Sequence, residues 1–265
     1  MHKELMGVTF EIDDAKSGPA FFILGIRKSG SSMLNRVGQL LSRFNSYNFV
    51  DVAGRLFTNN IKVGQWIRDP SFSEIIYPGN VYGGFRNCPL GIEGNDIFRR
   101  AKKVLLVRDP RDALVSEYFS NAYSHSLPQT GETGGARGDL LQQRQAALAT
   151  PIDDYVLGRA KMMRRTVAEY LPLSQEPNTL LLKYEDVIFA KDAMVQDIVG
   201  HFGWVCRPKQ LEAILGWVDV KPQQENPKQF IRKVTPGDHQ EKLRQETIDR
   251  LNDELADVLE TFGYA

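Results

Sequence analysis

Apolar positions along the chain follow two alternating periods. "AFFILGI" (20–26) and "KKVLLVR" (102–108) are short, almost continuous apolar runs, the pattern of strands buried on both faces of a parallel sheet. "YNFVDV" (47–52), "VYGGF" (81–85) and "NTLLLKYED" (178–186) read as further strands. Between these runs the period lengthens. After Gly30, apolar residues recur at Met33, Leu34, Val37, Leu40, Leu41 and Phe44, one buried stripe of a helix. "DPRDALVSEYFSNAY" predicts a second helix with Pro110 in its first turn, where the missing N–H has no helical partner to lose. Residues 152–171, 191–203 and 208–217 predict three more. Near the C-terminus Ile248, Leu251, Leu255, Val258, Leu259 and Phe262 share one face of a docked helix.

Strands alternating with helices predict an α/β fold: a single domain over residues 1–265, with a central parallel sheet flanked by helices. In such sheets ligands bind beyond the carboxyl ends of the strands. Two stretches carry neither period. Residues 125–150 hold a glycine and threonine cluster, and residues 219–240 are rich in proline, lysine and glutamine. Both are expected to be flexible loops of the lid or binding type.

Composition narrows the function classes. The 33 basic and 33 acidic residues balance, which disfavours a nucleic-acid partner. Two cysteines, Cys88 and Cys206, suit a reducing compartment rather than a disulfide framework. Four histidines lie far apart and no Cys-x-x-Cys pair occurs, so no metal site is expected. The N-terminus lacks the pattern of a secretory signal. No apolar run approaches the roughly 18 residues of a membrane span. The expectation is a soluble, cytoplasmic protein with no membrane partner, as a monomer or homodimer.

The chemistry concentrates in "GIRKSGSS" (25–32), between the first long strand and its helix. A helix N-terminus offers free N–H groups and partial positive charge to an anion. Gly30 allows close backbone approach, Ser29, Ser31 and Ser32 offer hydroxyls, and Lys28 a mobile cation. A nucleoside-triphosphate loop would carry lysine directly after the second glycine, where Ser31 stands. A later strand would then end in a magnesium-holding carboxylate, whereas 102–108 ends in Arg108. Both departures point to an anion gripped by side chains and backbone with no required metal.

With these residues the chain resembles the cytosolic sulfotransferases, which use 3′-phosphoadenosine 5′-phosphosulfate (PAPS) and release 3′-phosphoadenosine 5′-phosphate (PAP). "KSGSS" (28–32) matches the family's loop. "RDPRDALVS" gives Arg108 and, eight residues on, Ser116, the pair that holds the 3′-phosphate in the family. "KYEDV" matches a third motif and implies that Tyr184 lies at the adenine. "FIRKVTPGD" (230–238) matches a fourth, implying cofactor contacts from Phe230, Ile231, Arg232 and Lys233. The resemblance covers roughly residues 20–264 and implies the P-loop-like sulfotransferase fold, a donor site that includes Arg27 and a catalytic role for Lys28.

Three positions depart from the family pattern. Met33 replaces the aromatic that stacks on adenine, leaving Phe230 and Trp217 as candidates. Val234 replaces a glycine. Where many members carry a catalytic histidine, some 22 residues before the arginine, this chain has Arg86 and Asn87, and neither side chain serves as a base. Asp51, ending the second strand, is the first candidate base, with a helix cap or salt bridge as its alternative role. His125 is the second, or a solvent-exposed loop residue.

The acceptor pocket is expected between the sheet edge and residues 53–90 and 120–150, drawing on Phe57, Tyr82, Phe85, Arg86 and Asn87. Interspersed polar residues, including Asn59, Asn60 and Asp69, suggest a small polar acceptor such as a natural product or alkaloid. Three alternatives stay open from sequence: a P-loop kinase using ATP and magnesium, a glycan-modifying sulfotransferase and a non-catalytic PAP-binding module.

Overall fold

The computed structural model describes residues 1–128, 134–220 and 222–265. The loop expectations at 125–150 and 219–240 therefore fall partly, at 129–133 and 221, outside the described residues. Five parallel strands form the central sheet in the order β4 (Asn48–Asp51), β5 (Asn80–Gly83), β3 (Phe21–Gly25), β6 (Lys102–Val107) and β7 (Thr179–Lys183). Alternation along β3 divides the core. Phe22 and Leu24 pack on one face with Tyr82, Leu105 and Val107, under the helix Ile152–Ala168 and the C-terminal helices. Phe21 and Ile23 pack on the other with Val81, Val104 and Leu106, against the helices Ser31–Phe44, Lys191–Phe202 and Pro208–Val218.

Register brings the strand ends to one edge. Gly25 pairs with Leu106, Asp51 with Gly83 and Val107 with Lys183. The chain leaves β3 toward β4 on one side of the sheet and leaves β6 toward β7 on the other. The crevice expected at such a switch point thus opens beside residues 26–30 and 108–109.

Three elements differ from the sequence reading. An antiparallel hairpin, β1 (His2–Leu5) and β2 (Val8–Glu11), precedes the sheet. Its two-residue turn puts Met6 at φ 52° and Gly7 at φ 73°, as a mirror-image hairpin turn requires, and Val8, Phe10 and Ile12 bury its inner face. The strands are only four residues each, too short to stand out by alternation. Residues Gly135–Ala149, expected as loop, form a helix whose one buried residue is Ala147, so no apolar stripe announced it. Asn60 fastens its start, donating to Gly134 O (3.1 Å) and accepting from the Arg137 amide (2.7 Å). The C-terminal helix is two, Gln245–Glu254 and Ala256–Phe262, with all six expected apolar residues buried.

Candidate functional site

The loop after β3 is shaped by its own hydrogen bonds. Ser29, fully buried, turns its hydroxyl inward to Ile26 O (2.7 Å), so it shapes the loop and does not face a ligand. Lys28 at φ 64° and Gly30 at φ 86° complete the turn into the helix Ser31–Phe44. A Cβ at Gly30 would lie 3.1 Å from the Tyr184 ring, so close packing as well as φ favours glycine. The helix starts with no acidic residue in its first turn and no side-chain cap, which leaves its amides to an incoming anion.

A cavity of about 1340 Å³ opens at this point. Arg27, Lys28, Gly30, Ser31, Ser32, Arg108, Ser116, Tyr184, Phe230, Ile231, Arg232 and Lys233 line it, together with Asp51, Phe57, Arg86, Asn87 and His125. The sequence motifs therefore converge from four separate segments. Tyr82 and Phe85 do not join them. Tyr82 is fully buried, donates to Ile75 O (2.9 Å) and accepts from the Tyr77 amide (2.7 Å), while Phe85 packs in the core against Trp66 and Phe72. The polar residues near them are also structural: Asp69 caps the turn at Ser71 (2.8 Å), and Asn60 pins the helix Gly135–Ala149.

Arg108, 7% exposed, lies at one end of the cavity. It donates to Lys28 O (3.2 Å), pairs with Asp112 (3.4 Å) and lies 4.4 Å from the Tyr184 ring centroid. Its buried Nε has no hydrogen-bond partner, a cost that a bound anion would remove. Asp112 is central here although the sequence analysis assigned it no role. It accepts from the Gly237 amide (2.7 Å), the His239 amide (2.9 Å) and His239 Nδ1 (2.7 Å), so it ties Arg108 to the late segment. Burial alone would raise its carboxyl, but the His239 bonds and the Arg108 charge hold it well below the usual carboxylate range. Its signal was the i,i+4 spacing from Arg108, which many surface pairs share.

In that segment Arg232 pairs with Glu225 and Asp238 and covers the Phe119 ring at 4.2 Å. Lys233 bonds Asp238 (3.1 Å) and Glu241 (2.6 Å). Ser116 lies on the helix Pro110–Phe119, which runs on into a π-helical turn, Ser120–Ser124. Ser120, one turn beyond Ser116, also lines the cavity and its buried hydroxyl is unpartnered. Trp217 and Phe230, both exposed, line the same end, with the Arg36 guanidinium 4.4 Å from the Trp217 ring.

Charge distinguishes the other end. Burial, reinforced by Arg27, Arg108 and Arg86, lowers the Lys28 ammonium to about 7 despite the opposing Glu117 charge. Arg27 is partly neutralised by Glu117 (3.5 Å), a buried carboxylate that also binds Arg159 (2.8 Å) and that the sequence reading missed. Asp51 caps the helix Val52–Thr58 through Gly54 N (3.1 Å), so the cap role is real, and the residue also lines the cavity. Gly84, at φ 83°, leaves room for it: a Cβ there would sit 1.9 Å from Asp51 Oδ1. His125 is half-buried beside Phe57, with Nδ1 2.9 Å from Ser126 O. Burial, with Lys28, Arg27 and Arg86 nearby, pushes its pKa down, so the ring is neutral at neutral pH.

Among the described residues no helix is long and apolar enough to cross a membrane, and no group of three or more His, Cys, Asp or Glu side chains is arranged to hold a metal ion. No curated protein matches the sequence significantly. Among solved structures, mouse sulfotransferase SULT7A1 complexed with PAP covers 100% of this chain and 99% of its own, at 14% identity and TM-score 0.58. Retinol dehydratase in a complex with retinol and PAP covers 92% of this chain and 82% of its own, at 17% identity and TM-score 0.53. These likenesses establish the fold. The family model described as "Sulfotransferase domain" matches residues 19–263, which include every cavity motif and leave out only the first 18 residues and the last two, and the chain accordingly belongs to the sulfotransferase family.

Proposed function

We propose that this sulfotransferase takes its sulfuryl group from PAPS and transfers it to a hydroxyl or amine of a small polar molecule, releasing PAP. The observation that carries the donor reading is the convergence of Lys28, Arg108 and Arg232 on one cavity, with the buried Arg108 Nε left without a partner. In this reading the 5′-phosphate lies at 28–32 and the 3′-phosphate among Arg108, Ser116, Arg232 and Lys233. Tyr184 packs at the adenine, and Trp217 or Phe230 supplies the stacking that Met33 does not.

The acceptor oxygen or nitrogen attacks sulfur as the bond between sulfur and the bridging oxygen breaks. The electron pair stays on that oxygen, which becomes part of the 5′-phosphate of PAP. Lys28 and the loop donors stabilise the charge growing there, the usual role of fixed donors aimed at a developing anion. The acceptor proton passes to Asp51, whose Oδ1 is occupied by Gly54 N while its carboxylate faces the cavity. His125, neutral and beside Phe57, is the second candidate for that proton. No step requires a metal.

Asp51, Arg86, Asn87 and Gln143 line the cavity together with Phe57, Ile61, Val63 and Leu140, and the four polar side chains support an acceptor that carries polar groups. A natural product or an alkaloid fits that wall. The family match removes the kinase alternative. A glycan acceptor or a purely PAP-binding role has no observation in its favour.

The test is ligand-dependent thermal stability. PAP at a hundredfold excess over its Kd is expected to stabilise the protein by about 2.7 kcal/mol, while ATP with magnesium has little effect. No shift with PAP, or abolition of transfer by chelation of divalent metals, would overturn the reading.

A further inference from the structure

The cations of the cavity are not equally neutralised. Arg27, Arg108, Arg232 and Lys233 each have a carboxylate within 4.0 Å. Among the described residues, four cations of the cavity wall have none: Lys28, Arg86, Arg36, which lies over the Trp217 ring, and Arg55, which is exposed and lies over the Phe10 ring. Arg86 Nη1 donates to Gly84 O (2.9 Å) and Nη2 to Ser32 Oγ (3.2 Å). The guanidinium is thereby fixed against the phosphate loop, where burial lowers its pKa and the Asp51 charge only partly opposes that. A guanidinium has five N–H donors, and these two bonds use two of them. Positive charge with no carboxylate at ion-pair distance, held by two hydrogen bonds beside a phosphate loop, suits an anion that arrives with the ligand. The 5′-phosphate falls to the loop and Lys28, and the 3′-phosphate to the Arg108 end.

We propose that Arg86 is a catalytic residue that binds the non-bridging oxygens of the transferring sulfuryl group. The assignment rests on the PAPS reading above. A planar fork of N–H donors matches an SO₃ group, and it exchanges no proton during transfer. The bond from sulfur to the bridging oxygen breaks and leaves its electron pair on PAP. The bond from acceptor to sulfur forms, and the acceptor proton leaves to Asp51. Arg86 accompanies the sulfuryl group as it moves from one oxygen to the other. The position that the family gives to a basic histidine is thus filled here by an electrophile, and the base role moves to a different strand end. Gly84 makes this possible. At φ 83° it turns the chain so that Arg86 bonds back to its carbonyl, and its missing side chain admits the Asp51 carboxylate.

Calorimetric titrations with PAP and with PAPS, without acceptor, test the assignment because the two nucleotides differ only by the sulfuryl group. In Arg86→Ala the PAP Kd is expected to stay within about threefold of wild type, while the preference for PAPS over PAP falls about tenfold or more. Arg86→Lys, which keeps the charge but loses the fork, should fall between the two and serves if the alanine variant does not fold. A residue that merely fastens Ser32 would change both affinities alike. An unchanged PAPS-to-PAP ratio, or equal loss for both nucleotides, would overturn the role of Arg86 alone. Absence of binding by either nucleotide to the wild-type protein would overturn the donor reading and this proposal with it.

Discussion

The two ends of the cavity solve the problem of holding charge in opposite ways. At the proposed nucleotide end, three of the cations are paired before any ligand arrives: Arg108 with Asp112, Arg232 with Asp238 and Glu225, Lys233 with Glu241. At the proposed transfer end, Lys28 and Arg86 have no carboxylate within 4.0 Å among the described residues. Pairing fixes long side chains in one geometry and offsets part of their desolvation, so the nucleotide end is preorganised. At the transfer end burial, reinforced by neighbouring arginines, disfavours the Lys28 ammonium and lowers its pKa, and a bound anion relieves that cost. Affinity and turnover should therefore separate along the cavity.

Substitutions can break that separation, the largest effect first. Asp51→Asn should lower the rate of product formation by about 10²- to 10⁴-fold, the usual contribution of a positioned base, with PAP affinity unchanged. Asparagine caps a helix as well as aspartate does, so the fold is kept. The rate is measured by mass spectrometry with an acceptor chosen from a panel of polar alcohols and amines. A loss below threefold would move the base to His125.

Lys28→Ala should cost about 10²- to 10³-fold in the same rate, as removal of a donor to a developing oxyanion does. Its effect on PAP binding should be smaller. Equal losses in rate and affinity would erase the distinction between the two ends.

Arg108→Ala should act the other way, raising the PAP Kd about 10- to 100-fold, the worth of charge-assisted hydrogen bonds, and leaving turnover at saturating PAPS within about threefold. Fluorescence or calorimetric titration measures it, and an unchanged Kd would remove Arg108 from the phosphate site.

The smallest effect sharpens the comparison. With Lys28 lowered to about 7 in the free protein, about half of it is neutral at pH 7. An incoming phosphate raises that pKa, so binding takes up protons: roughly half a proton at pH 7, nearing one at about pH 8, and little below about pH 6. Affinity should accordingly weaken as pH rises above 7. Calorimetry of PAP in buffers of different ionisation enthalpy measures the uptake, with Lys28→Ala as the control in which it disappears.

Legibility followed the same division. The central strands β3 and β6 were readable because burial on both faces makes them almost uniformly apolar, whereas the edge strands β4 and β7 are half-buried and gave a weaker pattern. The phosphate loop was readable because a backbone-level anion site demands glycine and small hydroxyl residues in a fixed order. Ser29 shows the limit: its position in the motif was clear, but its hydroxyl turned out to bond Ile26 O. Tyr82 and Phe85 looked like pocket aromatics because aromatic residues serve cores and pockets equally well, and only packing separates them. The helix Gly135–Ala149 was hidden because it buries a single alanine and is held instead by Asn60, from a distant loop.

By itself, then, the sequence determined the sheet strands, the helices that carry an apolar stripe and the identity of the anion-gripping motifs, since these are written in local periodicity and spacing. The three-dimensional arrangement decided which charges meet. Asp112 to His239, Glu117 to Arg27 and Arg86 to Ser32 are separated by 127, 90 and 54 residues, and no local pattern links them. Electrostatic roles depend on distance through space, and the sheet register that sets those distances is a property of the whole packed chain.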